Sequence, residues 1–473
     1  MATTHLDTEA WDAYSNLLLI DVNIEGPTTE LLVPFSHLHR LARLLSSTRP
    51  KTRKVFLRLL SVLTAIRNSG GTIHLHEWNS LIDLSGKGWR KTRTHDFETA
   101  LSIYEDMTHG KAPGTTLANR SLEDEEEGYY NDLTTPVQPD IYTHTTLVSL
   151  AARTLNPDAL GHATNLLERS QLAPNRITHL SLLQYFTFTH QLSGVRSTLF
   201  KMRQQGFELG IDGINSVIWA YGNNGRVDIV MMIYRLLRNN VSPERHSGGD
   251  DIQSVITQLK KEEQITVDPA LRPNEITFTM MIQVMAYQGN LLATLTVFMD
   301  MISSQNLEMG APLVLDENHQ LVPSTYSPTL PVFRAIFLGF SRHALPPKKK
   351  KIRMPASIRA SNPPGRPTWS LDNLQSLFDT FMDLPGHVRI SQPTIFWIMV
   401  AFDKTSGNNV DIMRRAWQQL EDRFGGPWGE PGSRLHEMRL KLFPGDTKVF
   451  ERKKWDHGAG HDPPPHLETS TKG

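Results

Sequence analysis

The chain has 473 residues, no cysteine, and 49 Lys+Arg against 49 Asp+Glu, a formal net charge of zero. This excludes disulfides, thiolate metal sites and thiol catalysis. It also leaves any case for nucleic-acid binding to local charge rather than bulk charge.

Counted with Gly and without Tyr, about 43% of the residues are apolar, near the ~45–50% of ordinary globular chains, so a core can form. Residues 1–10 read as a tail. The first 30 residues carry Asp7, Glu9, Asp12, Asp21, Glu25 and Glu30 and no Lys or Arg, the opposite of a targeting presequence. Tyr14/Leu17/Leu18 has the spacing of a degraded helical stripe. Residues 40–67 hold eight Lys and Arg and no acid. That block suits either a basic helix of a first repeat or a matrix-targeting-like segment displaced from the N-terminus.

From residue 78 onward one pattern recurs, an apolar or aromatic residue followed by apolar residues three, four and often seven positions on. It occurs at Trp78/Leu81/Ile82, His144/Leu147/Val148/Ala151, His179/Leu182/Leu183/Phe186 and Ile214/Val217/Ile218/Tyr221. It continues at Phe278/Met281/Ile282/Met285, Val332/Ala335/Ile336 and Ile395/Ile398/Met399/Phe402. Such spacing is one face of an α-helix. The steps 144 to 179 and 179 to 214 are both 35 residues, and 66, 64, 54 and 63 elsewhere are 35 plus an insertion. Second helical segments follow, among them 97–107, 195–204, 229–238 and 291–303. Asn156-Pro157-Asp158, Ser193-Gly194, Asn223-Asn224-Gly225 and Gln288-Gly289-Asn290 mark the turns between paired helices. Pro139-Asp140, Pro174-Asn175, Pro243-Glu244 and Pro273-Asn274 then end one pair and open the next, because proline stops a helix and Asp or Asn caps one. A lone helix–turn–helix pair exposes an apolar face, so the pairs must stack. The fold class is therefore all-α, a helix-turn-helix repeat solenoid with long loop insertions.

Lys87, Arg90, Lys91 and Arg93 surround Trp89 in the turn of the second unit. Cations beside an aromatic suit single-stranded nucleic acid, through phosphate contacts and base stacking, and equally suit an ordinary surface turn. Residues 111–138, with Glu123 to Glu127 all acidic, and 245–272 read as loop insertions, and 305–331 as a surface loop. Residues 342–366 hold eight Lys and Arg, no acid and several prolines, a basic loop in which Lys348 to Lys351 also satisfies a nuclear-import pattern. Residues 425–473 read as a disordered tail. The uncharged run from Ile276 to Met299 is interrupted by Gln283 and Gln288-Gly289-Asn290, so two helices are expected there rather than a membrane span.

No phosphate-binding loop, dinucleotide fingerprint, nucleophile elbow or His-Glu-x-x-His helix is present. His457 and His461 with Asp456 and Asp462 fall in the tail without a scaffold. His144 and His179 sit in the apolar stripe and read as core. Asp250-Asp251 and Glu262-Glu263 lie in an insertion. No catalytic residue, metal site or cofactor is expected, and the chain reads as a non-enzyme.

Pro174-Asn175-Arg176-Ile177-Thr178, Pro273-Asn274-Glu275-Ile276-Thr277-Phe278 and Pro139-Asp140-Ile141-Tyr142-Thr143 resemble the start of a pentatricopeptide repeat. Phe200-Lys201-Met202-Arg203-Gln204-Gln205-Gly206 and Ala100 to Met107 resemble its second helix. A tetratricopeptide array differs, with a period of about 34 and a Trp…Leu-Gly…Tyr pattern missing here. The resemblance is to a divergent, fungal-type organellar member. It spans 11–424, with best units at 74–110, 141–175, 176–210, 211–244 and 275–309, and degenerate ones near 11–71, 329–389 and 392–424.

What the resemblance implies is a PPR-like superhelix that binds single-stranded RNA, each unit addressing one nucleotide in organellar transcript maturation, stability or translation. In that family the residue after the aromatic position and the last residue of the unit choose the base. Here these imply Asn79, Thr145, Asn175, Asn215 and Thr279 as readers, and Lys87, Trp89, Arg90, Lys91 and Arg93 as backbone contacts. Leu180 and Gly210 have no side chain to read a base edge, and Glu244 closes the 211–244 unit. Thr145 with Asn175 implies a purine, adenine first. Exposed reader positions on a concave face are expected. Mitochondrial localisation rests on the resemblance alone, with cytoplasm or nucleus as alternatives. The other class of function left open is a protein-binding scaffold or a mitoribosome-associated subunit, which zero net charge and long insertions favour.

Overall fold

The computed structural model describes residues 6–21, 33–86, 91–119, 135–243, 251–315, 320–344, 368–385, 388–426, 428–429 and 431–444. Among them the chain is almost wholly helical. It divides after Phe207 into two compact units.

The first unit is built from α1 (Asp7–Asp21), α2 (Phe35–Ser47), α3 (Arg53–Asn68), α4 (Leu75–Ser85), α5 (Thr94–Thr108), α6 (Thr115–Asn119), α7 (Ile141–Thr154), α8 (Pro157–Arg169), α9 (Arg176–Phe188) and α10 (Leu192–Gln204). Helices pair as α2–α3, α4–α5, α7–α8 and α9–α10, and the first members stack in series, α2 on α4, α4 on α7 and α7 on α9. The interlayer stripe is what the spacing dictates: Leu81, Ile82, Leu147, Val148, Ala151 and Leu183 are wholly buried. Each of the Leu, Ile and Val side chains is worth about 1.5–3 kcal/mol on burial. Side-chain caps fix where helices begin. Asp140, Asn156 and Asn175 each accept a backbone N–H of the first turn, at about 1 kcal/mol apiece.

The second unit contains α11 (Gly210–Asn223), α12 (Val227–Asn239), α13 (Ile252–Glu262), α14 (Glu275–Tyr287), α15 (Leu291–Ser303), a hairpin of β1 (Leu313–Leu315) and β2 (Leu321–Pro323), then α16 (Leu330–His343), α17 (Leu371–Met382), α18 (Gln392–Ser406), α19 (Val410–Phe424) and α20 (Arg434–Leu442). Here α11, α14, α16 and α18 stack in series. The antiparallel hairpin pairs Val314 with Val322.

Several expectations need correction. Tyr14 belongs to a separate helix, α1, and the first pair is α2–α3, whose stripe Leu38/Leu41/Ala42/Leu45 is buried. The basic block 40–67 is this helix pair. Val332, Ala335 and Ile336 are buried as expected, but counted from the N-cap Thr329 the position equivalent to His144 and Phe278 is Phe333, which is wholly buried with Phe337 and Phe340. Residues 245–272 are not a bare loop. Within them α13 buries Val255 and Leu259 beside α12, and Tyr221 Oη donates to the buried Glu263 carboxylate at 2.7 Å. In 111–138, Asp106 pins the start: it accepts from Gly114 N, Thr116 N and Thr116 Oγ1 at 2.8, 3.0 and 2.6 Å. The 305–331 segment contains the hairpin. The 425–473 segment is not all tail, because α20 buries Leu435 and Leu442 and Trp428 packs 6.2 Å from Trp417. The acidic run 123–127, Glu244, most of the basic loop 342–366, and the His457/His461 cluster lie outside the described residues. No described helix is long and apolar enough to cross a membrane.

Candidate nucleic-acid interface

One three-residue arrangement recurs where a first helix meets the next. Its corners are the residue after the first stripe position of one helix, the N-cap of the following first helix, and the third residue of that helix. Between α4 and α7 these are Asn79, Asp140 and Thr143. Asn79 Nδ2 donates to Asp140 Oδ1 at 3.2 Å, and Thr143 Oγ1 donates to Asn79 Oδ1 at 2.6 Å. Between α7 and α9 they are Thr145, Asn175 and Thr178. Thr145 Oγ1 and Thr178 Oγ1 are hydrogen-bonded at 2.9 Å, and Thr178 Oγ1 donates to Asn175 Oδ1 at 3.1 Å. In the second unit, between α11 and α14, Asn215 Nδ2 donates to Asn274 Oδ1 at 3.1 Å and Thr277 Oγ1 donates to Asn215 Oδ1 at 2.7 Å.

The local sequence explains the convergence. An Asp or Asn after proline caps the helix and so holds its carboxylate or amide at the helix mouth. A Thr three residues on reaches back to that cap. Stacking then slides the preceding helix's side chain into both. The structure links Thr145 to Asn175 through the Thr178 hydroxyl. It also shows two partners that sequence reasoning did not assign. Asn79 closes with Asp140 and Asn215 with Asn274, because the insertions lie inside those units and move the closing residue downstream. The steps Pro139-Asp140 and Pro273-Asn274 were the signal. Asn215 meets Asn274 and Thr277, and Glu244, expected to close this unit, lies outside the described residues.

Exposure is the other correction. Thr145 and Asn215 are only 7% and 3% exposed, because the next helix packs on them; Asn79, Asn175 and Thr279 are half-buried. Burial pushes the Asp140 carboxyl up, but hydrogen bonds from the backbone and hydroxyl of Thr143, from Asn79 and from the Tyr142 backbone outweigh it and hold its pKa below the usual range. Asp140 therefore stays a carboxylate. The Asn79 and Asn215 amides each keep a second N–H and a second lone pair, whereas Asn175 Oδ1 already accepts from the Thr178 N–H and Oγ1, so that amide has its N–H groups to offer.

Beside the threonine of each arrangement stands an exposed apolar side chain missed in the sequence: Tyr142, Ile177 and Ile276, which are 68%, 52% and 54% exposed. Large apolar residues left open at a repeating position offer flat surface to a ring. Of the basic turn, Lys91 and Arg93 are described and exposed, and the Arg93 backbone N–H donates to Asp96 Oδ2 at 2.7 Å. Lys87, Trp89 and Arg90 lie outside the described residues. Leu180 is half-buried and Gly210 takes a positive φ of 62°.

Residues 134–187, which hold α7, α8, α9 and the Thr145/Asn175/Thr178 arrangement, match the family model of the pentatricopeptide repeat domain. The crystal structure of the pentatricopeptide repeat protein PPR10 from maize is similar at 15% identity and a TM-score of 0.40, covering 84% of this chain and 50% of that one. PPR10 in complex with an 18-nt psaJ RNA element is similar at 14% identity and a TM-score of 0.35, covering 82% and 55%. The chain thus spans about half the length of these solved structures. No curated protein matches it.

Proposed function

We propose that this chain is a pentatricopeptide repeat protein that binds single-stranded RNA, with Thr145 and Asn175 reading one base between Tyr142 and Ile177. The observation that carries the reading is the recurrence, in register, of a polar pair at a helix junction beside an exposed apolar side chain. Repeat proteins that read RNA use two or three side chains per unit in this manner. The same reading assigns Asn79 with Asp140, and Asn215 with Asn274, to further bases, and Thr279 to a fourth. By the family's pairing rules Thr/Asn favours adenine and Asn/Asp favours uracil, so the first two junctions call for uracil, then adenine. Lys87, Arg90, Lys91 and Arg93, with Trp89, supply backbone contact. A role in mitochondrial transcript maturation, stability or translation follows from the family alone.

A second reading, a protein-binding scaffold, draws on the burial of Thr145 and Asn215 and on the open apolar hairpin, where Leu313, Leu315 and Leu321 are exposed. Titration of the purified chain into labelled single-stranded RNA at several salt concentrations separates the two. Under the RNA reading, affinity falls steeply with salt through counterion release. Replacing Lys87, Arg90, Lys91 and Arg93 with Ala then weakens all sequences alike. Binding no stronger than to a neutral control polymer would favour the scaffold.

A further inference from the structure

The junction between α2 and α4 uses the same three positions with different chemistry. His39 follows the first stripe residue Leu38, His74 is the N-cap of α4, and Glu77 is its third residue. Where the other junctions hold Asn, Asp and Thr, this one holds two imidazoles and a carboxylate. We propose that it is a binding site for one divalent transition-metal ion of the zinc class, which clips the first helix pair to the second.

The geometry supports a compact ligand set. One ligand atom from each of His39, His74 and Glu77 lies within 4.8 Å of the others. His39 Nδ1 and Glu77 Oε1 are 2.7 Å apart, and the two imidazole rings are 4.7 Å apart by centroid. Zinc bonds of about 2.0–2.2 Å to His nitrogen and carboxylate oxygen place tetrahedral ligands roughly 3.3 Å from one another. The His39–Glu77 contact needs to open slightly, and the widest pair needs to close by rotation of His74, whose side chain is exposed. Glu77 is only 2% exposed, so its charge is already largely removed from water. Its other oxygen accepts the His74 backbone N–H at 2.9 Å, the kind of outer hydrogen bond that orients a ligating carboxylate.

Capping alone does not explain the residue choice. Asp and Asn are the better caps, and the other junctions use them. Imidazole with carboxylate favours zinc and its borderline neighbours over magnesium or calcium, which take oxygen ligands. Three protein ligands leave a fourth position. Water fills it, or His76, whose ring stacks 5.5 Å from that of His74 at 13°.

The test uses the full-length chain stripped of metal with chelator, then titrated with Zn2+ and, separately, Co2+. The decisive variant is H39N/H74N/E77T, which installs the Asn/Asn/Thr set that Asn215, Asn274 and Thr277 form elsewhere in this chain. Wild type should bind one zinc per chain tightly and give the intense visible bands of four-coordinate cobalt. The triple variant should lose both while keeping the helical circular dichroism. His39→Asn alone, which leaves the start of α4 intact, should weaken zinc by at least the ~10–100-fold typical of lost supporting groups, and it decides the matter if the triple variant does not fold. Equal zinc affinity and the same cobalt spectrum in wild type and variants would assign binding to other histidines and overturn the proposal, as would a wild type that binds no zinc.

Discussion

The α4–α7–α9 stack and the α16–α17–α18 region solve the same packing problem with different chemistry. In the first, each junction carries a partly buried polar knot, as at Thr145, Asn175 and Thr178. In the second, aromatic rings meet edge to face. Phe381 lies 5.3 Å from Phe333 and 5.4 Å from Phe337, and Phe378 lies 5.0 Å from Phe402. Rings tolerate many offsets and contribute mainly area. A hydrogen-bonded knot accepts one register and costs free energy when broken. The polar junctions therefore fix register, and the aromatic end contributes mainly stability.

Breaking each end should show that division. Phe381→Ala removes a wholly buried ring from four aromatic neighbours. It should cost about 3–5 kcal/mol, read by urea unfolding, and leave RNA sequence preference unaltered. Asn215→Ala strips Asn274 and Thr277 of a shared partner and should cost about 1–3 kcal/mol, the usual penalty for stranded polar groups. A loss below a few tenths would mean that water replaces Asn215 without cost and that the knot does not set register.

A smaller effect sharpens the account of the buried histidines. Burial lowers the pKa of His144 from its ordinary 6.5, with Asp140 opposing, and neither ring nitrogen has a hydrogen-bond partner. Burial also lowers that of His179, which Gln205 opposes and Lys201 reinforces. The unfolded chain then binds more protons than the folded one below 6.5. Stability should be level above that pH and fall as pH drops from 6.5 toward the lowered values. Thermal melts across this range test it. His144→Leu should flatten part of the slope, and an unchanged slope would place the titration elsewhere.

Much of this was legible in the sequence, and the failures have physical causes. The stripe at His144/Leu147/Val148/Ala151 identified its helix, because burial of one face demands that spacing. The copy at Leu38 escaped notice because Leu-rich basic sequence resembles targeting composition. Val332 and Phe333 are both apolar at helical spacing, so the pattern alone does not fix phase there. Helix α13 was hidden by the polar residues around its two buried positions. At the site, the pairing of Thr145 with Asn175 is what the family resemblance implies for a unit of intact period, and in the structure Thr178 links the two. Asp140 and Asn274 were missed as partners because an insertion displaces the closing residue in sequence but not in space. Burial of Thr145 is a property of stacking, which no single helix encodes.

The central claim is that these junctions read bases, and one exchange tests it most directly. Thr145→Asn with Asn175→Asp converts the α7–α9 knot into the Asn/Asp/Thr set already present at Asn79, Asp140 and Thr143, so the fold has a precedent for it. Selection of bound RNAs from a random single-stranded pool should recover, for wild type, sequences with adenine at one position. The double variant should recover uracil there and leave the flanking positions unaltered, a discrimination of about 1–3 kcal/mol. Identical sequences from both proteins, with both equally folded, would contradict base reading at this junction and leave the knots as structural latches of a scaffold.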